Sequence, residues 1–123
     1  MLKLAYDADP IAPDGRPVLL LLHGFTQDRH AWDWVREGLR RIGPTVAVDL
    51  LGHGASPKPE ALGPYRLEAC LEQLEGVLRA LKVPRAWWVG YSMGGRVALQ
   101  AAVRKPERVA GLVLASATAG IPE

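Results

Sequence analysis

The stretch Ala86-Trp87-Trp88-Val89-Gly90-Tyr91-Ser92-Met93-Gly94-Gly95-Arg96-Val97-Ala98-Leu99 passes from an apolar strand pattern into a helix of small residues, and its reading decides the fold. A serine on so tight a strand-to-helix turn has a strained backbone. Glycines beside it let strand and helix approach closely enough to expose the hydroxyl. Gly90, Gly94 and Gly95 supply that room, and Ser92 is the candidate nucleophile or base. The helix N-terminus beneath it offers backbone N–H groups and a partial positive charge where an oxyanion would form. The N–H of Met93 is the natural first donor. Alone, a Gly-x-Ser-x-Gly pattern is only a tight turn; its meaning here comes from the flanking strand and helix.

Working outward, strands and helices alternate, which predicts an α/β domain whose parallel sheet is covered on both faces. Val18 to Leu22 is an unbroken apolar run, as expected of a central strand buried on both sides, and His23-Gly24-Phe25 ends it. The alternation from Leu2 to Tyr6 predicts an edge strand. Trp32, Val35, Leu39 and Ile42 recur at helical spacing and predict a helix from Arg29 to Ile42, with Asp28 as N-cap and Gly43-Pro44 as stop. Thr45 to Leu50 reads as a strand that brings Asp49 to its carboxyl end, before a loop rich in Gly and Pro. Leu67, Cys70, Leu71, Leu74, Val77, Leu78 and Leu81 give the strongest amphipathic pattern. The elbow strand is expected over Ala86 to Tyr91, its helix over Met93 to Arg104, and a last strand over Val109 to Ala115.

Composition narrows the class. At 123 residues, 49% hydrophobic, the chain is sized for one domain with a real core, so residues 1–123 are read as a single domain. The formal charge of +2 comes from interspersed acids and bases, with no basic block to suggest nucleic acid or anionic lipid. No apolar run approaches the length needed to cross a bilayer, so no membrane partner is expected. A single cysteine, Cys70, cannot form an internal disulfide and is read as a small buried hydrophobe in a reducing, cytoplasmic setting. The four tryptophans are read as core and loop packing. No Gly-x-Gly-x-x-Gly or Walker pattern points to a nucleotide, and no His-x-x-x-His pair points to a metal; no cofactor is expected.

The candidate site gathers at the carboxyl ends of the strands. Phe25 N–H, in the loop after the first buried strand, is the candidate second oxyanion donor, and Gly24 and Tyr91 are expected beside the substrate. His23 is expected to shape its loop by hydrogen bonds to nearby backbone. Position alone permits His53 as a base or Asp49 as an acid, but the simpler reading has Asp49 capping its loop and His53 lying between two turn glycines. Arg96, one turn into the elbow helix, either grips a substrate carboxylate or makes a surface ion pair.

His23-Gly24-Phe25, Asp49-Leu50-Leu51-Gly52-His53-Gly54-Ala55-Ser56 and Gly90-Tyr91-Ser92-Met93-Gly94-Gly95, in that order, resemble the amino-terminal half of an α/β-hydrolase. Within that superfamily, Gly90 to Leu99 followed by Arg108 to Thr118 resembles the 2-succinyl-6-hydroxy-2,4-cyclohexadiene-1-carboxylate synthases of menaquinone biosynthesis. The resemblance covers nearly the whole chain. It implies elimination of pyruvate from a carboxylated cyclohexene, started by a serine that histidine and aspartate activate, with arginines holding carboxylates. Carried over, it assigns Ser92, the donors Phe25 and Met93, and Arg96.

Such families run to about twice this length, still one α/β domain. They place an acid and then a histidine after the serine. Here all three histidines precede Ser92, and Ala115-Ser116-Ala117 stands where some relatives carry the acid. The expectation is therefore a partial hydrolase core, truncated after the strand that follows the elbow helix. Its substrate is a small carboxylate or ester. An esterase or carbon–carbon bond hydrolase is the alternative, and an inactive remnant or half of an assembly is another. A last strand left unpaired predicts a homo-oligomer, or a complementary chain, covering the edge from Val109 to Leu114.

Overall fold

The computed structural model describes residues 2–116. Five strands form one sheet in the order β1-β3-β2-β4-β5: β1 Tyr6–Ala8, β2 Leu19–Leu22, β3 Thr45–Val48, β4 Ala86–Tyr91 and β5 Val109–Ala115. β2 pairs in parallel with β3 and with β4, and β4 in parallel with β5; only β1 runs antiparallel, against β3. The helices are α1 Asp33–Leu39, α2 Leu67–Ala80 and α3 Met93–Arg104.

The pleat explains how the two faces are filled. Successive strand residues point to opposite sides, so Leu20 and Leu22 of β2 join Val46, Val48 and Trp88 on one face, against Leu71, Leu74 and Leu78 of α2 and Ala98 and Ala101 of α3. Leu19, Leu21, Ala47 and Val89 face the other way, towards Trp32 and Leu39. A mostly parallel sheet with helices on both faces results, as the alternation predicts. The covering is uneven, since α1 spans two turns where the other face has α2 and α3.

β2 begins one residue later than the run Val18 to Leu22, β3 ends at Val48 and not at Leu50, and two further boundaries differ more widely from those expected. The first strand is Tyr6–Ala8 and not Leu2 to Tyr6. Ala5 N–H donates to the hydroxyl of Ser56 at 2.8 Å, so this stretch is bound to a loop side chain before the ladder begins at Tyr6 opposite Val48. The helix expected over Arg29 to Ile42 divides into a 3-10 turn, Arg29–Trp32, and the shorter α1. Asp28 does cap the turn, accepting from His30 N–H. Past Leu39 the bonds tighten, with Ile42 N–H donating to Leu39 O at 2.9 Å, and the chain turns into β3, leaving Ile42 exposed.

Candidate functional site

Ser92 sits between β4 and α3 with φ 53° and ψ −113°, a left-handed conformation that costs a non-glycine residue of order 1–3 kcal/mol. Two contacts hold it there. Its N–H donates to Ala115 O of β5 at 2.9 Å, and its own carbonyl accepts from Arg96 N–H at 3.1 Å, opening α3. The glycines are needed for the fit: a Cβ on Gly90 would lie 2.3 Å from Gly94 O, and one on Gly94 would lie 2.2 Å from Leu22 O. Helix and strands therefore meet backbone to backbone. The Ser92 hydroxyl makes no cap bond to its helix and is left for other chemistry.

The histidines lie close by but are occupied. His23 is fully buried; Nδ1 donates to Gly24 O at 2.7 Å and Nε2 accepts from Leu50 N–H at 3.0 Å, a pattern that fixes the neutral Nδ1-protonated tautomer. Burial pushes its pKa below the usual value. It shapes the loop, as the sequence reading expects. His53 Nδ1 bonds Leu51 O at 3.0 Å, and its ring lies 5.0 Å from that of His23 and 5.8 Å from that of Phe25. His30 pairs with Asp33 on the surface. Among the described residues none of the three bonds Ser92.

Asp49 is the buried organiser of its loop. It accepts from Arg29 N–H at 2.6 Å and Ala55 N–H at 2.8 Å and pairs with the Arg29 guanidinium. Burial opposes its ionisation, but these donors outweigh burial and hold its pKa below the usual value. The Ser56 hydroxyl donates to Asp49 O at 2.6 Å, closing the loop onto the chain ahead of β1. Sequence reading found the local cap but not Arg29, since a partner twenty positions away leaves no periodic trace.

A cavity of about 620 Å³ opens beside the elbow, with Phe25 and His53 on one side, Met93 and Val97 of α3 on another, and Tyr65 and Cys70 beyond. The residues of the two expected oxyanion donors thus line the same cavity. Tyr91 instead lines a second cavity of about 450 Å³ with Trp32, Trp34 and Ala115. Gly24 is in the lining of neither: its N–H donates to Gln27 Oε1 at 2.8 Å, and a Cβ there would lie 3.1 Å from the Tyr91 ring. Arg96 is exposed and lines neither cavity, and the ion pair nearest the expected one on α3 joins Arg104 to Glu68. Tyr65 and Cys70 are cavity residues that the sequence did not reveal: Tyr65 sits in a short 3-10 turn, Gly63–Tyr65, within a loop that has no periodic pattern, and the amphipathic pattern of α2 reads an inward residue such as Cys70 as core. Among the described residues no cluster of three or more His, Cys, Asp or Glu could hold a metal, and no helix is long and apolar enough to cross a membrane.

Comparison with known proteins places this geometry. The family model described as alpha/beta hydrolase fold matches residues 17–123. The chain is 35% identical over 111 residues to a putative 2-succinyl-6-hydroxy-2,4-cyclohexadiene-1-carboxylate synthase of Bacillus subtilis, covering 89% of this chain and 39% of that protein. It is 37% identical over 100 residues to a pimeloyl-[acyl-carrier protein] methyl ester esterase of Serratia marcescens, covering 81% and 36%. The crystal structure of a hydrolase from Pseudomonas aeruginosa PA01 superposes with a TM-score of 0.86 at 37% identity, covering 97% of this chain and 43% of that one. The chain thus spans less than half the length of each.

Proposed function

The chain belongs to the α/β-hydrolase fold family, and from that membership we propose that Ser92 is the nucleophile of an enzyme acting on small esters. The strained backbone of Ser92 carries the reading. A hydroxyl held out on a left-handed residue, over a helix N-terminus, has an unusual conformation that packing alone would not require. Ser92 Oγ would attack the ester carbonyl carbon, and the carbonyl oxygen, now negative, would receive the N–H groups of Phe25 and Met93. The alcohol leaves with a proton, and water then releases the acid from Ser92. Among the described residues His23, His53 and His30 bond Gly24, Leu51 and Asp33 and not Ser92, so none of the three is assigned the proton transfer.

A lyase reading keeps the same serine as a base. It draws on the Bacillus relative and on Arg96, which is exposed one turn beyond Ser92 and available to a substrate carboxylate. Ester turnover that Arg96→Ala leaves unchanged favours the hydrolase, and loss of turnover on a carboxylated substrate alone favours the lyase.

The first test is the intact mass of the protein after exposure to a fluorophosphonate. One adduct per chain, absent in Ser92→Ala, is expected. A folded chain that takes no label, or labels equally in Ser92→Ala, overturns the assignment.

A further inference from the structure

The 620 Å³ cavity beside Phe25 and Met93 has the size of a small-molecule site. Its chemistry is specific in what it lacks. No lysine, arginine, aspartate or glutamate lines it among the described residues, while Phe25, Leu51, Tyr65, Leu67, Met93 and Val97 do. Its polar groups are largely committed: the Tyr65 hydroxyl donates to Pro59 O at 2.8 Å, and His53 Nδ1 to Leu51 O. Cys70 adds a neutral wall, since burial pushes its thiol up to about 11. A carboxylate entering this space would lose its water and meet no fixed cation, a large penalty. An apolar chain would lose nothing and gain contact with six apolar walls.

We propose that this cavity receives an uncharged, apolar acyl group, whose carbonyl oxygen lies at the Phe25 and Met93 amides. The proposal rests on the Ser92 reading only for the direction of the carbonyl. The acyl side is the one assigned because the leaving alcohol must be protonated as it departs, and no cavity-lining group is hydrogen-bonded to Ser92. The acyl chain, which stays attached to the serine, can remain in a pocket without such a donor. Arg96, outside the cavity, would then meet the substrate only where it protrudes into water.

The test is binding, not turnover. Octanamide, neutral and apolar, is titrated into the chain by calorimetry beside octanedioate, which has the same length but a carboxylate at each end. Octanamide is expected to bind at least tenfold more tightly. Val97→Trp, which fills the cavity, should weaken it at least tenfold. Because that variant carries a bulky change, a second readout uses the unaltered wall: octanamide should slow modification of Cys70 by methyl methanethiosulfonate at least fivefold. Octanedioate binding as tightly, no octanamide binding, or octanamide binding that leaves Cys70 equally reactive would overturn the proposal. Ser92→Ala is expected to bind octanamide as the parent does. Failure of fluorophosphonate labelling with this binding intact would therefore count against the serine and not against the cavity.

Discussion

His23 has both ring nitrogens engaged, so a proton added at Nε2 would break the bond from Leu50 N–H. Burial sets its pKa below the usual 6.5. Asp49 and Asp9 lie below the usual 3.8: burial works against their ionisation, and backbone and side-chain donors from Ala55, Arg29, Thr45 and Arg40 outweigh it. All three depressed values mean that the folded chain binds fewer protons than the unfolded one as pH falls, so stability rises with pH through each window. It is expected to be complete above pH 6.5, to decline as unfolded His23 takes up its proton, and to decline again below about pH 4 as Asp9 and Asp49 are protonated. Urea midpoints measured from pH 8 to 3 check this. In His23→Gln the first decline should vanish, and a parent curve flat from pH 7 to 5 would contradict it. The structural role of His23 was legible because a histidine ending a buried strand next to glycine has backbone groups in reach. The brace of Arg36 on Thr45 and Asp9 was not: a buried arginine on α1 interrupts the very pattern used to find its helix.

Among the elements, β4, α2 and α3 were readable nearly to the residue, because their patterns end at glycine, proline or a change of period. β1 and α1 were less so, since their limits depend on distant partners: Ser56 for the chain ahead of β1, and the turn into β3 for the end of α1. The contact of α3 with β2 has a measurable consequence. Gly94→Ala would drive a methyl into the carbonyls of Leu22 and His23, at 2.2 and 2.6 Å, so α3 must withdraw from the sheet. Overpacking of this kind costs about 1–3 kcal/mol. The variant is expected to lose that much stability in urea unfolding and to lose fluorophosphonate labelling with it, whereas Gly38→Ala, with nothing within 4 Å of the added carbon, should keep both.

Across the whole molecule the two sheet edges are unlike. β1 is short and tied down by the ion pair of Asp7 with Arg29, but β5 has seven residues, pairs only with β4 among the described strands, and exposes Val113 and Leu114. An apolar edge of that length invites another strand. The purified chain is expected to associate at micromolar concentration in sedimentation velocity, and Val113→Lys should shift it towards the monomer; a monomer whose β5 amides exchange freely would speak against a partner there. The sheet order has one more consequence. β1 and β5 stand at opposite margins, four inter-strand spacings or about 19 Å apart. A polypeptide grafted behind β5 is thus delivered beside the outer edge of β5, which pairs with no second strand among the described residues, on a tether of few residues. The same graft ahead of β1 would have to be carried across the full width of the sheet.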